Sequence, residues 1–493
     1  MTTRWTCFAL VLAAVSTASA RVDYTMSVRD NQPIKLAVSF VATEGKTSLK
    51  LPNWAPGAYV LRTDNAKAVE GVSAKPSVPI AKGLENEWLL TTQPGKKYTV
   101  EYALPRRTPT GNLHITGPNT YLYINGRKEE DCRLTVDLAE GAKSTCGLPR
   151  LGANAYSASS YDVLADNPIT VGNYELDTYT VQGVPNEIVY YAGPIADVDR
   201  AKVKEFCHRI TAAQSDFWGG LPFDKYVWHF RVTPGNSGGG GLEHLSSTSI
   251  SMAAGFGYGT QSVLSHELFH AWNVKRIRSE PLGPFDYDRL PVTGALWWLE
   301  GVTDYYANLI MTRYGLGTPE ELYTKAARTL GSVRSNPARL EVSPFNSSLQ
   351  VYQAANWRGN SNGYKISYYQ LGWLVGFCLD TEIRARSAGK YSLDDVCLAL
   401  WEMNKNDQPG FAEDEIRTQC IRFGGAGMAD YFDRVVMKPG ELPLEDALAR
   451  VGLVLVSGPT AQSRTIASVE SPTSQQLAFR ENWLYSGKKG WQP

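Results

Sequence analysis

The sequence has no excess of charge of either sign. Its 493 residues include 49 lysines and arginines and 49 aspartates and glutamates, so the formal net charge is zero. A strong excess of charge is what draws a protein to nucleic acid or to an anionic membrane surface. The balance therefore predicts that neither is a partner, and that recognition depends on a local site.

Long apolar runs are equally scarce. The run from Phe8 to Val15 is shorter than the roughly 20 residues that cross a bilayer, and none later in the chain is long and apolar enough. Arg4 precedes this run and the small residues Ala18-Ser19-Ala20 follow it, as in a cleaved export signal. We therefore predict a signal peptide over residues 1–20, no membrane anchor, and a periplasmic or secreted protein.

The cysteines do not stand in the short paired spacing of a thiolate zinc site. Of the 7 cysteines, Cys7 lies in the predicted signal peptide. The remaining ones are expected to be disulfides or buried thiols, because an exported chain meets an oxidising compartment. Candidate pairs by proximity in the sequence are Cys132 with Cys146 and Cys397 with Cys420.

Residues 21–195 consist of short alternating or β-branched runs, with Gly, Pro and Asn clustered between them. The predicted strands are Ile34 to Val41, Ser48 to Leu51, Tyr98 to Leu104, Arg133 to Leu138 and Glu175 to Val181. This pattern predicts an all-β, sandwich-like domain over residues 21–195.

The period of the hydrophobic pattern becomes helical after residue 196. A strand is predicted at Tyr226 to Val232, and helices at Asp199 to Phe217, Gln261 to Trp272, Leu296 to Tyr314, Glu320 to Leu330, Tyr368 to Arg386 and Leu393 to Asn404. We therefore predict a multidomain α+β protein, with an α/β domain over 196–315, a helical domain over 316–456 and a loosely packed tail over 457–493.

The strongest chemical signal is His266-Glu267-Leu268-Phe269-His270, in a chain with only 6 histidines. Residues four apart share one face of a helix, so both imidazoles can reach one cation while Glu267 lies beside it. The alternative is a surface helix with two solvated histidines. If the two histidines bind a metal ion, Glu267 is the base that takes a proton from water and passes it to the leaving amine.

A catalytic zinc site needs a third protein ligand and an open position for water. Glu300 stands in an apolar, aromatic helix, where a buried carboxylate is costly unless a metal or an ion pair compensates it. Asp304, one turn further on the same face, either orients a zinc-bound histidine or has no such role. We predict one Zn²⁺ per chain, held by His266, His270 and Glu300.

Four segments together resemble the glycyl aminopeptidase family of zinc metallopeptidases, of the HExxH gluzincin type. They are HELFHAWNVKRIR at 266–278, GGLEH at 240–244, LEGVTDYY at 299–306 and SYYQLG at 367–372, and WAPGAY at 54–59 is similar to the N-terminal domain of that family. The resemblance covers about residues 22–456. It implies a thermolysin-like catalytic domain between a β domain and a helical domain, with Glu300 as the third metal ligand.

The resemblance also implies roles at the substrate. Glu243 would bind the free α-amine of a peptide, and Gly240 and Gly241 would let the peptide backbone approach closely. Tyr369 would donate to the oxyanion, with Tyr368 as the competing choice. The implied activity is removal of N-terminal residues, such as glycine or alanine, from peptides with a free N-terminus.

Two departures from the family pattern bear on this prediction. Leu371 stands where the family has a lysine, and only residues 457–493 follow the helical part, too few for the PDZ domain that family members usually carry. Two alternatives stay open: a zinc endopeptidase, which shares the metal machinery but would be indifferent to Glu243, and a peptide-binding protein whose catalysis has decayed, which Leu371 favours.

Overall fold

A computed structural model describes residues 21–57, 59–236, 239–352, 365–405, 409–458 and 464–485. The predicted signal peptide at 1–20 lies outside the described residues. No helix in these described ranges combines the length and the apolar character that a membrane crossing requires.

The N-terminal part is a β domain, as predicted. Its strands are Arg21–Val28 (β1), Ile34–Val41 (β2), Lys46–Lys50 (β3), Glu70–Lys75 (β4), Ile80–Lys82 (β5), Glu87–Thr91 (β6), Lys97–Leu104 (β7), Leu113–Ile115 (β8), Tyr123–Ile124 (β9), Asp131–Leu138 (β10), Lys143–Thr145 (β11), Arg150–Gly152 (β12), Ala155–Ala158 (β13) and Ile169–Gly172 (β14). One α-helix, Tyr161–Ala165 (α1), lies between β13 and β14. The strands form a seven-stranded sheet in the order β12-β13-β10-β1-β2-β7-β4, a four-stranded sheet β5-β6-β3-β9 and a three-stranded sheet β11-β14-β8. Alternate residues of the strands, such as Val22, Tyr24 and Met26 of β1, are buried in one shared core.

A five-stranded sheet follows, in the order β15-β16-β17-β19-β18. Its strands are Glu175–Val181 (β15), Val184–Ala192 (β16), Tyr226–Thr233 (β17), Gly241–His244 (β18) and Ser247–Ala253 (β19). β16 pairs in parallel with β17, so β15 and β16 belong to this sheet and not to the N-terminal domain. We propose that the first domain ends near residue 173 rather than at 195.

The rest of the described chain is mainly helical, which confirms the predicted α+β multidomain class. The α-helices are Arg200–Trp218 (α2), Tyr258–Phe269 (α3), Thr303–Arg313 (α4), Pro319–Ser335 (α5), Pro344–Gln350 (α6), Tyr368–Arg386 (α7), Leu393–Asn404 (α8), Glu415–Gly424 (α9), Met428–Phe432 (α10), Leu444–Arg450 (α11) and Ser474–Tyr485 (α12), and π-helical turns cover Trp297–Val302 and Asp433–Met437. Short 3-10 helices lie at Thr63–Ala68, Gly117–Asn119, Ile195–Asp197, Glu280–Leu282 and Pro337–Leu340, and the last two strands are Leu453–Val456 (β20) and Thr465–Ser468 (β21).

The helix predicted over 296–314 is not a single α-helix. Its first part, Trp297–Val302, is π-helical, and only Thr303–Arg313 is α-helical. The backbone of this π-helical turn lies directly against the backbone of α7. A Cβ on Gly301 would lie only 2.5 Å from the Cα of Gly372. π-helical turns inside α-helices occur frequently at functional sites, and this one carries Glu300.

The prediction of a loosely packed tail is wrong for the described residues of α12. Trp483 is only 2% exposed, and its indole N–H donates to the hydroxyl of Tyr305 at 2.8 Å. The guanidinium of Arg313 donates to the carbonyl of Trp483 at 2.9 Å. This helix therefore packs on α4 although its own composition is polar.

The cysteines are buried free thiols. This holds for Cys132, Cys146, Cys397 and Cys420 and for the two others after residue 20, so the predicted disulfide pairs are wrong in this structure. Burial raises the pKa of each of these four thiols. They act as small apolar core residues rather than as crosslinks.

Candidate metal centre and substrate cleft

His266 and His270 lie one turn apart at the end of α3, with their rings edge to face and their centroids 4.5 Å apart. Their Nε2 atoms are 2.9 Å apart. A carboxylate oxygen of Glu300, from the π-helical turn, lies 3.3 Å from Nε2 of His266 and 3.1 Å from Nε2 of His270. The sequence-predicted ligands therefore converge on one point.

The three ligand atoms fit a tetrahedral zinc ion. Atoms about 2.0–2.1 Å from such an ion lie roughly 3.3 Å from one another, which is close to the separations observed. His270 donates its Nδ1–H to the carbonyl of Asn273 at 2.7 Å, so in the neutral ring Nε2 carries the lone pair that a metal requires. His266, His270 and Glu300 are all buried, and a cation is what would satisfy such a group of acceptors.

Glu267 lies beside this centre in an unusual environment. Its Oε2 atom is buried and has no hydrogen-bond partner among the described residues. Burial raises the pKa of Glu267 well above its ordinary value, and the carboxylates of Glu243 and Glu300 act in the same direction while His270 opposes them. A Cβ on Gly241 would overlap the side chain of Glu267, so only glycine leaves the base in place.

Asp304 lies on the far side of His266. Its Oδ1 is 3.8 Å from Nδ1 of His266, which is ion-pair distance rather than hydrogen-bond distance, and its Oδ2 is 2.8 Å from the ammonium of Lys325. Asp304 therefore joins the metal centre to helix α5.

Of the two adjacent tyrosines, Tyr369 is the one beside the metal ligands. Its ring stacks on that of His266 with the centroids 6.0 Å apart, and 37% of the residue is exposed to the cleft, whereas Tyr368 is buried. Burial of the hydroxyl and the nearby carboxylate of Glu300 raise the pKa of Tyr369 well above its ordinary value. The phenol is therefore a neutral hydrogen-bond donor.

Glu243 lies on β18, the edge strand of the five-stranded sheet. Its carboxylate, that of Glu267 and a ring nitrogen of His270 all lie within 4.8 Å of one another, and Glu243 is itself buried. A second carboxylate is thus held next to the metal ligands.

Asp166 of the N-terminal domain makes buried contacts with the end of β18 and with the segment that follows α3. The ammonium of Lys275 lies 2.7 Å from Asp166, and the same carboxylate accepts the backbone N–H of Leu245 at 2.8 Å. His244 also contacts Asp166, at 3.4 Å. Lys275 is thus engaged in a structural contact with Asp166.

The N-terminal domain also reaches the cleft. Tyr59 and Gly57 line it, and a Cβ on Gly57 would collide with Leu242 of β18. The sequence of residues 54–59 indicates a family resemblance, but it does not place Tyr59 in the cleft. The local signal was the WAPGAY motif itself.

The cleft encloses about 850 Å³. Its walls include His266, Glu267 and Tyr369 on the metal side, Gly240 and Gly241 on β18, and a row of polar residues on α5. A cavity of this size accepts a short peptide.

Two family models match the chain. The model of the peptidase M61 N-terminal domain matches residues 19–173, and the model of M61 glycyl aminopeptidase matches residues 260–375. The first covers the β domain, and the second covers most of α3, the π-helical turn and the start of α7. No curated protein sequence matches the chain.

Several solved structures share this fold. An aminopeptidase N family protein from Idiomarina loihiensis is 23% identical, with 88% of this chain and 79% of that chain covered and a TM-score of 0.81. An M1 zinc metallopeptidase from Deinococcus radiodurans is 15% identical over 86% of this chain and 95% of its own, with a TM-score of 0.54. Yeast LTA4 hydrolase in complex with Bestatin is 12% identical over 86% and 68%, with a TM-score of 0.51.

At these sequence identities the similarity to solved structures shows only the fold. Membership of a family is shown by the two family models. The second match includes His266, His270 and Glu300, which the structure brings together. The chain belongs to the M61 glycyl aminopeptidase family of metallopeptidases.

Proposed function

We propose that this protein is an exported, zinc-dependent aminopeptidase that removes N-terminal residues, glycine or alanine among them, from peptides. One zinc ion per chain would be held by His266, His270 and Glu300. The observation that carries the proposal is the position of Glu243, a buried carboxylate within 4.8 Å of His270 and Glu267. Export, to the periplasm or the medium, rests on the signal-like pattern of residues 1–20.

Bound zinc would polarise the scissile carbonyl and lower the pKa of a water molecule. Glu267 takes the proton of the attacking water and delivers it to the leaving amine. Its unpartnered Oε2 is free to do so. Tyr369 donates its hydroxyl to the carbonyl oxygen as negative charge develops there, and its raised pKa keeps that proton on the phenol.

Glu243 would position the substrate by binding its N-terminal amine. An α-ammonium group paired with a buried carboxylate forms a charge-assisted hydrogen bond, so the first residue of the peptide is held next to the reacting centre. Strand β18 uses one edge to pair with β19. The glycines before Glu243, Gly240 and Gly241, line the cleft and would let the peptide backbone approach as an added strand.

Loss of Glu243 should therefore affect free peptides selectively. We expect Glu243→Ala to lower kcat/KM for an alanyl peptide on the order of 100-fold, because truncation of one partner of a buried charge pair costs about 2–5 kcal/mol. Glu243→Gln should lie between this variant and the native protein. The measurement is steady-state hydrolysis of a free peptide and of its N-acetylated form.

The native protein should show almost no activity on the acetylated peptide, and so should both variants. Equal hydrolysis of the free and the acetylated peptide by the native protein would instead support the endopeptidase alternative. Leu371, the departure that favours a decayed enzyme, is buried in the core and is not among the described residues that line the cleft. It therefore leaves the catalytic side chains in place.

Two neighbouring glycines provide a matched pair of variants. A methyl group at Gly241 would overlap the Glu267 side chain, whereas a Cβ on Gly240 would have no atom within 4 Å. We expect Gly241→Ala to lower kcat on the order of 100-fold through a misplaced base, with bound zinc unchanged, and Gly240→Ala to change kcat much less. The measurement is kcat for both variants, with their metal content determined by mass spectrometry. Similar kcat values for the two variants would contradict the placement of Glu267.

A further inference from the structure

Helix α5 presents a polar face to the cleft, opposite the glycines of β18. Glu321, Thr324, Lys325 and Arg328 all line the cavity. Their spacing of three and four residues places them on one face of the helix. The cleft thus has a charged wall that the proposed catalytic steps do not use.

The charged residues of this face differ in their partners. Lys325 is paired with Asp304 at 2.8 Å, and the carboxylate of Glu321 accepts the N–H of Thr318 at 2.9 Å in the N-terminal cap of α5. Arg328 is exposed to the cleft and makes no hydrogen bond or ion pair with the described part of the chain. Its guanidinium is available to a ligand.

Arg328 lies at a distance from the metal ligands that suits a short peptide. Asp304 contacts both His266 at 3.8 Å and Lys325 at 2.8 Å. Arg328 follows Lys325 by three residues, which is about 4.5 Å along the helix axis. Because an extended peptide advances about 3.3 Å per residue, only a few residues separate the reacting centre from this guanidinium.

Two groups near the metal ligands are opposite in charge. Glu243 provides a carboxylate beside the metal ligands, and Arg328 provides a cation on α5. A short zwitterionic peptide has the complementary arrangement, an ammonium at one end and a carboxylate at the other. A guanidinium is suited to a terminal carboxylate because it can bind both oxygens at once.

We propose that Arg328 binds the C-terminal carboxylate of the substrate, so that peptides of about three residues are the preferred substrates of this protein. The inference rests on the proposed aminopeptidase function, in which the N-terminus lies at Glu243. An acidic side chain near the end of a longer peptide offers the same chemistry, and the test separates the two.

The test uses Ala-Ala-Ala, its C-terminal amide, and the amide of Ala-Ala-Glu. Affinity for each is measured by calorimetry on the zinc-loaded Glu267→Gln protein, which should bind without turnover, and kcat/KM is measured on the native protein. We expect the free acid to exceed the amide on the order of tenfold in both measurements, the worth of a hydrogen bond to a charged group. With Arg328→Ala the acid-to-amide ratio should fall to about one, and Arg328→Lys should keep part of it.

Arg334→Ala is the matched control, because Arg334 lies on the same helix, pairs with Glu445 and is not among the described residues that line the cleft. It should keep the native ratio. An acid-to-amide ratio near one in the native background, or an unchanged ratio in Arg328→Ala, would overturn the proposal. Equal binding of the Ala-Ala-Glu amide and the free acid would also overturn it, in favour of an acidic side chain.

Failure of the proposed function would be visible separately. It would appear as a native protein that hydrolyses no peptide with a free N-terminus, whatever the calorimetric ratio. If the acid-to-amide ratio of affinities depends on Arg328 although the protein shows no turnover, the carboxylate site would be supported and only the proposed catalysis rejected.

Discussion

Replacement of Glu267 by glutamine is expected to reduce peptide hydrolysis by about 1000-fold or more while the protein keeps its metal and its fold. Glutamine has nearly the same shape but cannot accept the proton of water, and general-base catalysis is worth about 10²–10⁴-fold. The structure favours a large effect, because the buried Oε2 of Glu267 has no hydrogen-bond partner among the described residues and lies beside the metal ligands. The measurement is kcat for an alanyl peptide, with zinc content determined on the same sample.

Glu205→Gln is a suitable control for this variant. Its side chain is 70% exposed on α2, and among the described residues it makes only a long ion pair with Arg209. It should retain the native rate. Hydrolysis by Glu267→Gln at more than a trace would show that another group acts as the base.

Removal of Glu300 is expected to abolish zinc binding and activity together. In Glu300→Ala the two histidines remain on α3, but two ligands do not complete a structural or catalytic zinc site. The zinc-to-protein ratio should fall from about one to near zero after dialysis. Added zinc should also raise the melting temperature of the native protein, because a ligand that binds only the folded state stabilises it, and this shift should be lost in the variant.

Asp304→Asn provides a graded comparison. It leaves the three ligands in place and removes only a charge 3.8 Å from His266. A residue that supports a metal ligand is typically worth about 10–100-fold in metal affinity, so this variant should bind zinc more weakly than the native protein and more tightly than Glu300→Ala. Native zinc affinity in Glu300→Ala would assign the third ligand to another residue, with Glu243 as the nearest carboxylate to test.

The local features of the site could be predicted from the sequence. The four-residue spacing of His266 and His270 fixes their common face on a helix. Glu300 is predicted partly because a lone carboxylate is costly in an apolar segment and partly from the family resemblance. The periodicity of the pattern also predicted α7 and α8 residue for residue. These signals are local, and each depends on a rule of helix geometry or of desolvation.

Features that depend on distant contacts were not predictable in the same way. The segment at 297–302 has a helical pattern, and its π-helical form accompanies a close approach of α7 at Gly372, about 70 residues later. The strands at 175–192 alternate like those before them, and only the pairing of β16 with β17 places them in the second sheet.

Packing partners far along the chain explain the other differences. Trp483 is buried against Tyr305, although the sequence around it is polar. Tyr59 reaches the cleft because the N-terminal domain packs on β18. Residues such as Arg328 become candidates only when the structure shows which wall they line.

Zinc-dependent aminopeptidase activity can be tested by following the products of one longer peptide by mass spectrometry, in free and N-acetylated form, with and without a zinc chelator. We expect stepwise loss of single residues from the N-terminus of the free peptide, no cleavage of the acetylated peptide, and no cleavage of either with the chelator present. Internal cleavage of the acetylated peptide, or cleavage that persists in the chelator, would contradict the proposed function.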